Sequence, residues 1–140
     1  MSTPNSKLLV QPYLFFNGRC EDAVEFYRKA LGAEVEMMMR FKDSPEPCAD
    51  SSSAEKIMHA SFCVGGSTIM ASDGECRKNA GFDGFSLSIS VANEVEADKV
   101  FGALAEGGEV RMPLTKTFWT ARFGMLTDKF GVGWMVSVVH

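Results

Sequence analysis

Four cysteines, Cys20, Cys48, Cys63 and Cys76, are scattered along the chain, and no two stand in a C-x-x-C pair. There is no apolar run of about 18 residues and no secretory leader, so nothing in the sequence reads as a membrane-spanning segment. The 14 Lys and Arg residues form no basic run, and the net charge is -4, which argues against nucleic acid as a main partner. Gly81, Gly84, Gly107 and Gly108 build no phosphate loop, and neither G-x-S-x-G nor H-E-x-x-H occurs. These absences lead us to expect a reduced, cytoplasmic, soluble protein with neither a nucleic-acid nor a membrane partner.

What is present is enough for a core. A chain of 140 residues, 46% of them hydrophobic, suggests one domain able to bury roughly two thirds of its unfolded surface without disulfides or metal. Met1 to Ser6 is polar and aperiodic, so a disordered N-terminus is expected before a single domain over 7–140.

The stretch from Thr117 to Val139 organises the rest. Phe118 and Trp119 lead in, Arg122 to Thr127 makes one strand, Asp128 to Gly131 supplies the turn, and Val132 to Val139 makes a β-branched second strand. Alternation puts Trp134, Val136 and Val138 on one face and Met135, Ser137 and Val139 on the other.

Taken in order, Leu8 to Phe16 reads as a buried strand, demoted by Pro12 toward a sheet edge or a strand start. Ala23, Val24, Phe26, Tyr27, Ala30 and Leu31 form a helical stripe, stopped by Gly32. Glu34 to Phe41 is a strand and Lys42 to Glu55 a loop. Lys56 to Val64 and Ser67 to Asp73 are a hairpin about Gly65-Gly66. A loop runs to Gly84, and Phe85 to Val91 then alternates apolar residues with Ser86, Ser88 and Ser90. Val95 to Glu106 is a second amphipathic helix with Val95, Val100, Phe101 and Leu104 apolar, and Glu109 to Leu114 a further strand.

The order strand, helix, strand, strand, strand thus occurs twice, and residues repeat with it at an offset of 75. Glu21, Phe26, Ala30, Gly32, Glu34, Val35 and Met37 recur as Glu96, Phe101, Ala105, Gly107, Glu109, Val110 and Met112. The expected fold is α+β: two βαβββ modules, about 7–75 and 84–140, forming a curved mixed sheet around a cavity.

The segments PYLFFNGRCEDAVEFYRKALGAE, HASFCVGGSTIMASD and TFWTARFGMLTDKFGVGWMVSV resemble the PhnB-like branch of the vicinal oxygen chelate superfamily, which includes glyoxalase I, extradiol dioxygenases and bleomycin resistance proteins. The resemblance runs from Leu8 to Val139. It implies a divalent metal held by His or Glu at the first and last strand of each module. Those places fall on Gln11 or Pro12, Met70, Ser86 and Met135. None is a good hard-metal ligand, because a thioether is soft and neutral. No metal and no other cofactor is therefore expected, a divalent metal being possible in the fold but unsupported by these residues.

The polar side of each strand supplies the candidate ligand-binding surface: His59, Ser61, Met70, Ser72, Ser86, Ser88 and Met135, with Phe118 and Trp119 at its mouth. His59 is the candidate acid-base residue, read against a hydrogen-bonded structural histidine. Trp119 and Phe118 stack on a flat ligand or belong to the core, and Met70 and Met135 fill core gaps or meet a variable apolar ligand. Arg122 and Asp128 read as a solvated strand charge and a turn residue.

The fold that the resemblance implies and the ligand places it lacks together lead us to expect a metal-free small-molecule-binding protein with an apolar cavity and His59 as its polar anchor, with a glyoxalase-type lyase, isomerase or dioxygenase, dependent on His59 or on a metal, as the alternative. The methyltransferase label that relatives have carried finds no glycine-rich strand-to-helix turn here. A homodimer is expected, because each module leaves strand edges open and the runs Leu8 to Phe16 and Met37-Met38-Met39 exceed what one sheet face buries.

Overall fold

The computed structural model describes residues 8–43, 54–74 and 81–139. The expected disordered N-terminus, the middle of the Lys42–Glu55 loop, and Cys48 and Cys76 lie outside the described residues.

The elements are β1 (Tyr13–Phe15), α1 (Cys20–Leu31), β2 (Glu34–Arg40), a short 3-10 turn (Phe41–Asp43), β3 (Ile57–Val64), β4 (Ser67–Ser72), β5 (Leu87–Val91), α2 (Glu94–Ala105), β6 (Glu109–Thr115), β7 (Phe123–Thr127) and β8 (Gly133–Val138). They form two four-stranded mixed sheets of the same topology, β1-β4-β3-β2 and β5-β8-β7-β6. In each, the first strand runs parallel to the last and the others pair antiparallel. The duplication in the sequence is a duplication of structure.

Local chemistry accounts for the helices. In α1, Glu21 and Asp22 lie in the first turn and Arg28 and Lys29 in the last, which complements the helix dipole. Gly32 ends it at φ 68°, a left-handed conformation that costs glycine little. In α2, the Asn93 side chain accepts from the Glu96 backbone N–H at 2.9 Å and caps the first turn.

Two expectations need correction. Only Tyr13–Phe15 of the Leu8–Phe16 run is strand, and Leu8, Leu9 and Val10 are 75%, 74% and 100% exposed. Pro12 contributes only its carbonyl, which accepts from Met70 N–H, and pairing begins after it at the sheet edge. Val95 is also exposed, since the buried stripe of α2 is Ala97, Phe101 and Leu104 and the first-turn valine points away from it.

The helix-facing sides of both sheets make one core. Rings join the modules: Phe16 lies 5.3 Å from Phe82 and 6.1 Å from Phe130, and Tyr27 5.5 Å from Trp134. Buried Asp128 adds a polar tie. It accepts from the backbone N–H of Phe130 and Val132, from Trp134 Nε1 at 2.8 Å, and from the Tyr27 hydroxyl at 2.5 Å, so the helix of module 1 is bonded to the last hairpin of module 2. Arg122 pairs with Glu94 and Asp98 and holds α2 to the start of β7.

Candidate functional site

With one face of each sheet covered by helix and core, the opposite faces stay open, and strand register dictates what they present. In module 1, Tyr13 pairs with Met70, Met70 with Ser61, and Ser61 with Met37, one row across four strands. In module 2, the corresponding row is Ser88, Met135, Met125 and Met112. Tyr13 and Met37 stand 75 residues before Ser88 and Met112, so the rows are structural equivalents. Both carry thioethers, and Met37 and Met112 are exposed.

His59 lies on the open face of β3, next in alternation to Ser61. Its Nδ1 is 2.8 Å from the Tyr13 hydroxyl, and the two rings are tilted at a centroid distance of 5.5 Å. Tyr13 in turn stacks on Phe15 at 5.0 Å. Burial of the phenol against the sheet, reinforced by Cys20, raises the Tyr13 pKa above its ordinary value, with a contact to Ser72 opposing. Tyr13 was not among the residues singled out by sequence. Its signal was there in the alternation of Tyr13 and Phe15 against Leu14 and Phe16, hidden by the apolar character of the whole run.

The other candidates fall into separate groups. Ser61 and Met70 flank His59 on the first sheet. Ser72 does not line it: only 3% exposed, its hydroxyl accepts from Gly74 N–H and donates to the Ile57 carbonyl. Ser86 and Met135 line a cavity of about 740 Å³ on the second sheet, together with Phe82, Phe85 and Arg111. Ser88 is exposed on β5. Trp119 packs against Phe118 and Phe123 at 4.8 and 5.4 Å. Phe118 is 98% exposed, raised on a turn in which Thr117 Oγ1 accepts from the N–H groups of Trp119 and Thr120.

The places that the resemblance marks for a metal do not fit one. Gln11 and Pro12 precede β1, Met70 lies in β4, Ser86 precedes β5 and Met135 lies in β8, and none of them carries a charged or imidazole donor. Among the described residues, no group of three or more His, Cys, Asp or Glu stands together to bind an ion.

Comparison with known proteins completes the description. Residues 9–137 match the family model described as 3-demethylubiquinone-9 3-methyltransferase. Protein YjdN of Escherichia coli K12 is 37% identical over 139 residues, which covers 93% of this chain and 95% of YjdN. The crystal structure of PA1353 from Pseudomonas aeruginosa is 48% identical with a TM-score of 0.86, over 94% of this chain and 98% of that one. A PhnB protein from Bacillus cereus is 27% identical with a TM-score of 0.79, over 93% and 98% of the two chains.

Proposed function

Because the chain belongs to the 3-demethylubiquinone-9 3-methyltransferase family, the PhnB-like branch of the vicinal oxygen chelate superfamily, we propose that it is a small-molecule-binding protein that works without a metal. The observation that carries this is the open face of the first sheet, where Tyr13, Phe15 and Met37 are exposed at 38%, 48% and 42% around the half-buried His59. Side chains of this kind are unfavourable in water and gain by covering an apolar molecule, while a lone imidazole supplies a directional anchor. Ser61 and Met70 complete that surface. On the second sheet Ser86, Ser88, Met135 and Trp119 form its counterpart, with Phe118 at the rim. Methyl transfer is not the reading, since mixed βαβββ modules lack the doubly wound parallel sheet and glycine-rich turn that hold a nucleotide-like cofactor.

The Tyr13–His59 hydrogen bond favours one second reading, a metal-free lyase or isomerase of glyoxalase type with His59 as its acid-base group. Native mass spectrometry of protein purified from its own host separates the readings. A co-purified organic molecule without metal is expected for the binding protein. One divalent metal per chain, surviving dialysis and lost on chelation with a fall in Tm, overturns it. Turnover abolished by His59→Ala in a folded protein establishes the second reading.

A further inference from the structure

Tyr13 Oη lies 2.8 Å from His59 Nδ1. Among the described residues, His59 Nε2 has no hydrogen-bond partner although the ring is only half-buried.

The direction of the first bond follows from its neighbours. The phenol has two candidate acceptors, His59 Nδ1 and the Ser72 hydroxyl. Ser72 Oγ already accepts from Gly74 N–H at 2.7 Å and donates to the Ile57 carbonyl. The phenol O–H is a stronger acid than a neutral imidazole N–H, and an imidazole nitrogen is a better acceptor than a phenol or alcohol oxygen, so the phenol proton is placed toward Nδ1. A neutral imidazole that accepts at Nδ1 must carry its proton on Nε2, because the hydrogen bond at one ring nitrogen sets the tautomer at the other. His59 thus presents an N–H donor to the open face.

Beside it lies a flat platform. Tyr13 and Phe15 stack at 5.0 Å with 27° between their planes. Gly74 backs Phe15: at φ 66°, a Cβ there would meet Phe15 Cδ1 at 3.1 Å, so glycine lets the ring settle against the chain.

From this geometry we infer that Tyr13 is the positioning residue for His59, locking it as the Nε2–H tautomer, and that the molecule this face takes is planar and carries a carbonyl or carboxylate oxygen. The aromatic platform holds the plane and the Nε2–H donates to the oxygen. The ligand class rests on the small-molecule reading above, whereas the role of Tyr13 does not.

The test is ¹⁵N NMR of the imidazole nitrogens at a pH of about 8, in the wild type, Tyr13→Phe and His59→Gln, the last to tell His59 from His140. A merely structural Tyr13 would leave the ring tautomer alone. Expected is a protonated Nε2 and a bare, hydrogen-bonded Nδ1 in the wild type, with the Nδ1 resonance moving toward the tautomer-averaged position in Tyr13→Phe while backbone shifts away from β1 and β3 stay put. A protonated Nδ1 in the wild type, or a ring unaffected by Tyr13→Phe, overturns the positioning role.

Acetophenone and ethylbenzene, which share a ring and differ in the oxygen, then probe the ligand class. The wild type is expected to bind acetophenone more tightly than ethylbenzene, and Tyr13→Phe to narrow that preference by about three- to tenfold, the worth of one hydrogen bond. Equal binding of both probes overturns the ligand class and leaves the small-molecule reading standing. If neither probe at millimolar concentration shifts an open-face resonance, the small-molecule reading fails and the ligand class falls with it.

Discussion

Two buried acidic side chains carry more of this fold than their place in turns suggests. Asp73 accepts from the backbone N–H of Gly18, Cys20 and Ile57 at 2.7 to 2.8 Å, pinning the start of α1 to the hairpin of its own module. Asp128 receives four donors, two of them the side chains of Tyr27 and Trp134. Removing the acceptor strands several buried donors at once, so Asp128→Ala is expected to cost at least about 3 kcal/mol and Tyr27→Phe about 1 to 2 kcal/mol in urea unfolding. An Asp128→Ala loss under 1 kcal/mol would sink the idea. The buried groups also set an alkaline limit. Burial first, then Asp73 and Glu21, pushes the Cys20 thiol far above its ordinary value, and burial, then Asp128, does the same to the Tyr27 phenol. The unfolded chain releases these protons near their ordinary values, about 8.5 for a thiol and 10 for a phenol, whereas the folded chain keeps them. The folded state then holds more protons, so stability is complete below about pH 8 and falls as pH rises through that window. Denaturation midpoints from about pH 7 to 11 should show this decline, and Cys20→Ala should flatten its first part.

At the scale of elements, α2 rests on β7 because Gly124 lets it. A Cβ on Gly124 would meet Phe101 Cε2 at 2.7 Å and the Met112 carbonyl at 3.0 Å. Phe101 is a buried member of the α2 stripe, so Gly124→Ala must push the helix off the sheet or Phe101 out of the core. The expected loss is about 1 to 3 kcal/mol, and a variant with an unchanged Tm would mean that Phe101 has another place to go. The helical stripe of α1, the diglycine hairpin and the closing hairpin were each legible in the sequence, because periodicity and turn residues are local signals. The length of β1 was not, because an apolar run says nothing about how many of its residues find a partner strand. Tyr13–Phe15 pair with β4 and Leu8–Val10 do not.

At the scale of the molecule, the modules share a helix-side core while their open faces retain exposed methionine and aromatic side chains, with the exposed Leu8, Leu9 and Val10 nearby in the chain. The exposed Leu8, Leu9 and Val10 and the sheet edges at β2 and β6 are surface that a two-fold contact between copies would cover on each while leaving the open faces to a ligand. We expect a homodimer, read by light scattering after size exclusion at micromolar protein. The mass of one chain across that range, with every crystal contact below roughly 800 Å², would count against it.

By itself the sequence determined the duplicated βαβββ plan, since its repeat of 75 residues and its alternation are properties of the chain at short range. It also offered His59, Met70 and Met135 as candidate strand-face residues. Only the tertiary structure decided which neighbours those residues have. Tyr13 and His59 meet across 46 residues, and Tyr27 and Asp128 across 101. Likewise Ser72, which alternation alone places with the open face, is closed off by Gly74 and Ile57. Such pairings depend on how sheets and helices stack, and spacing along the chain carries no record of that.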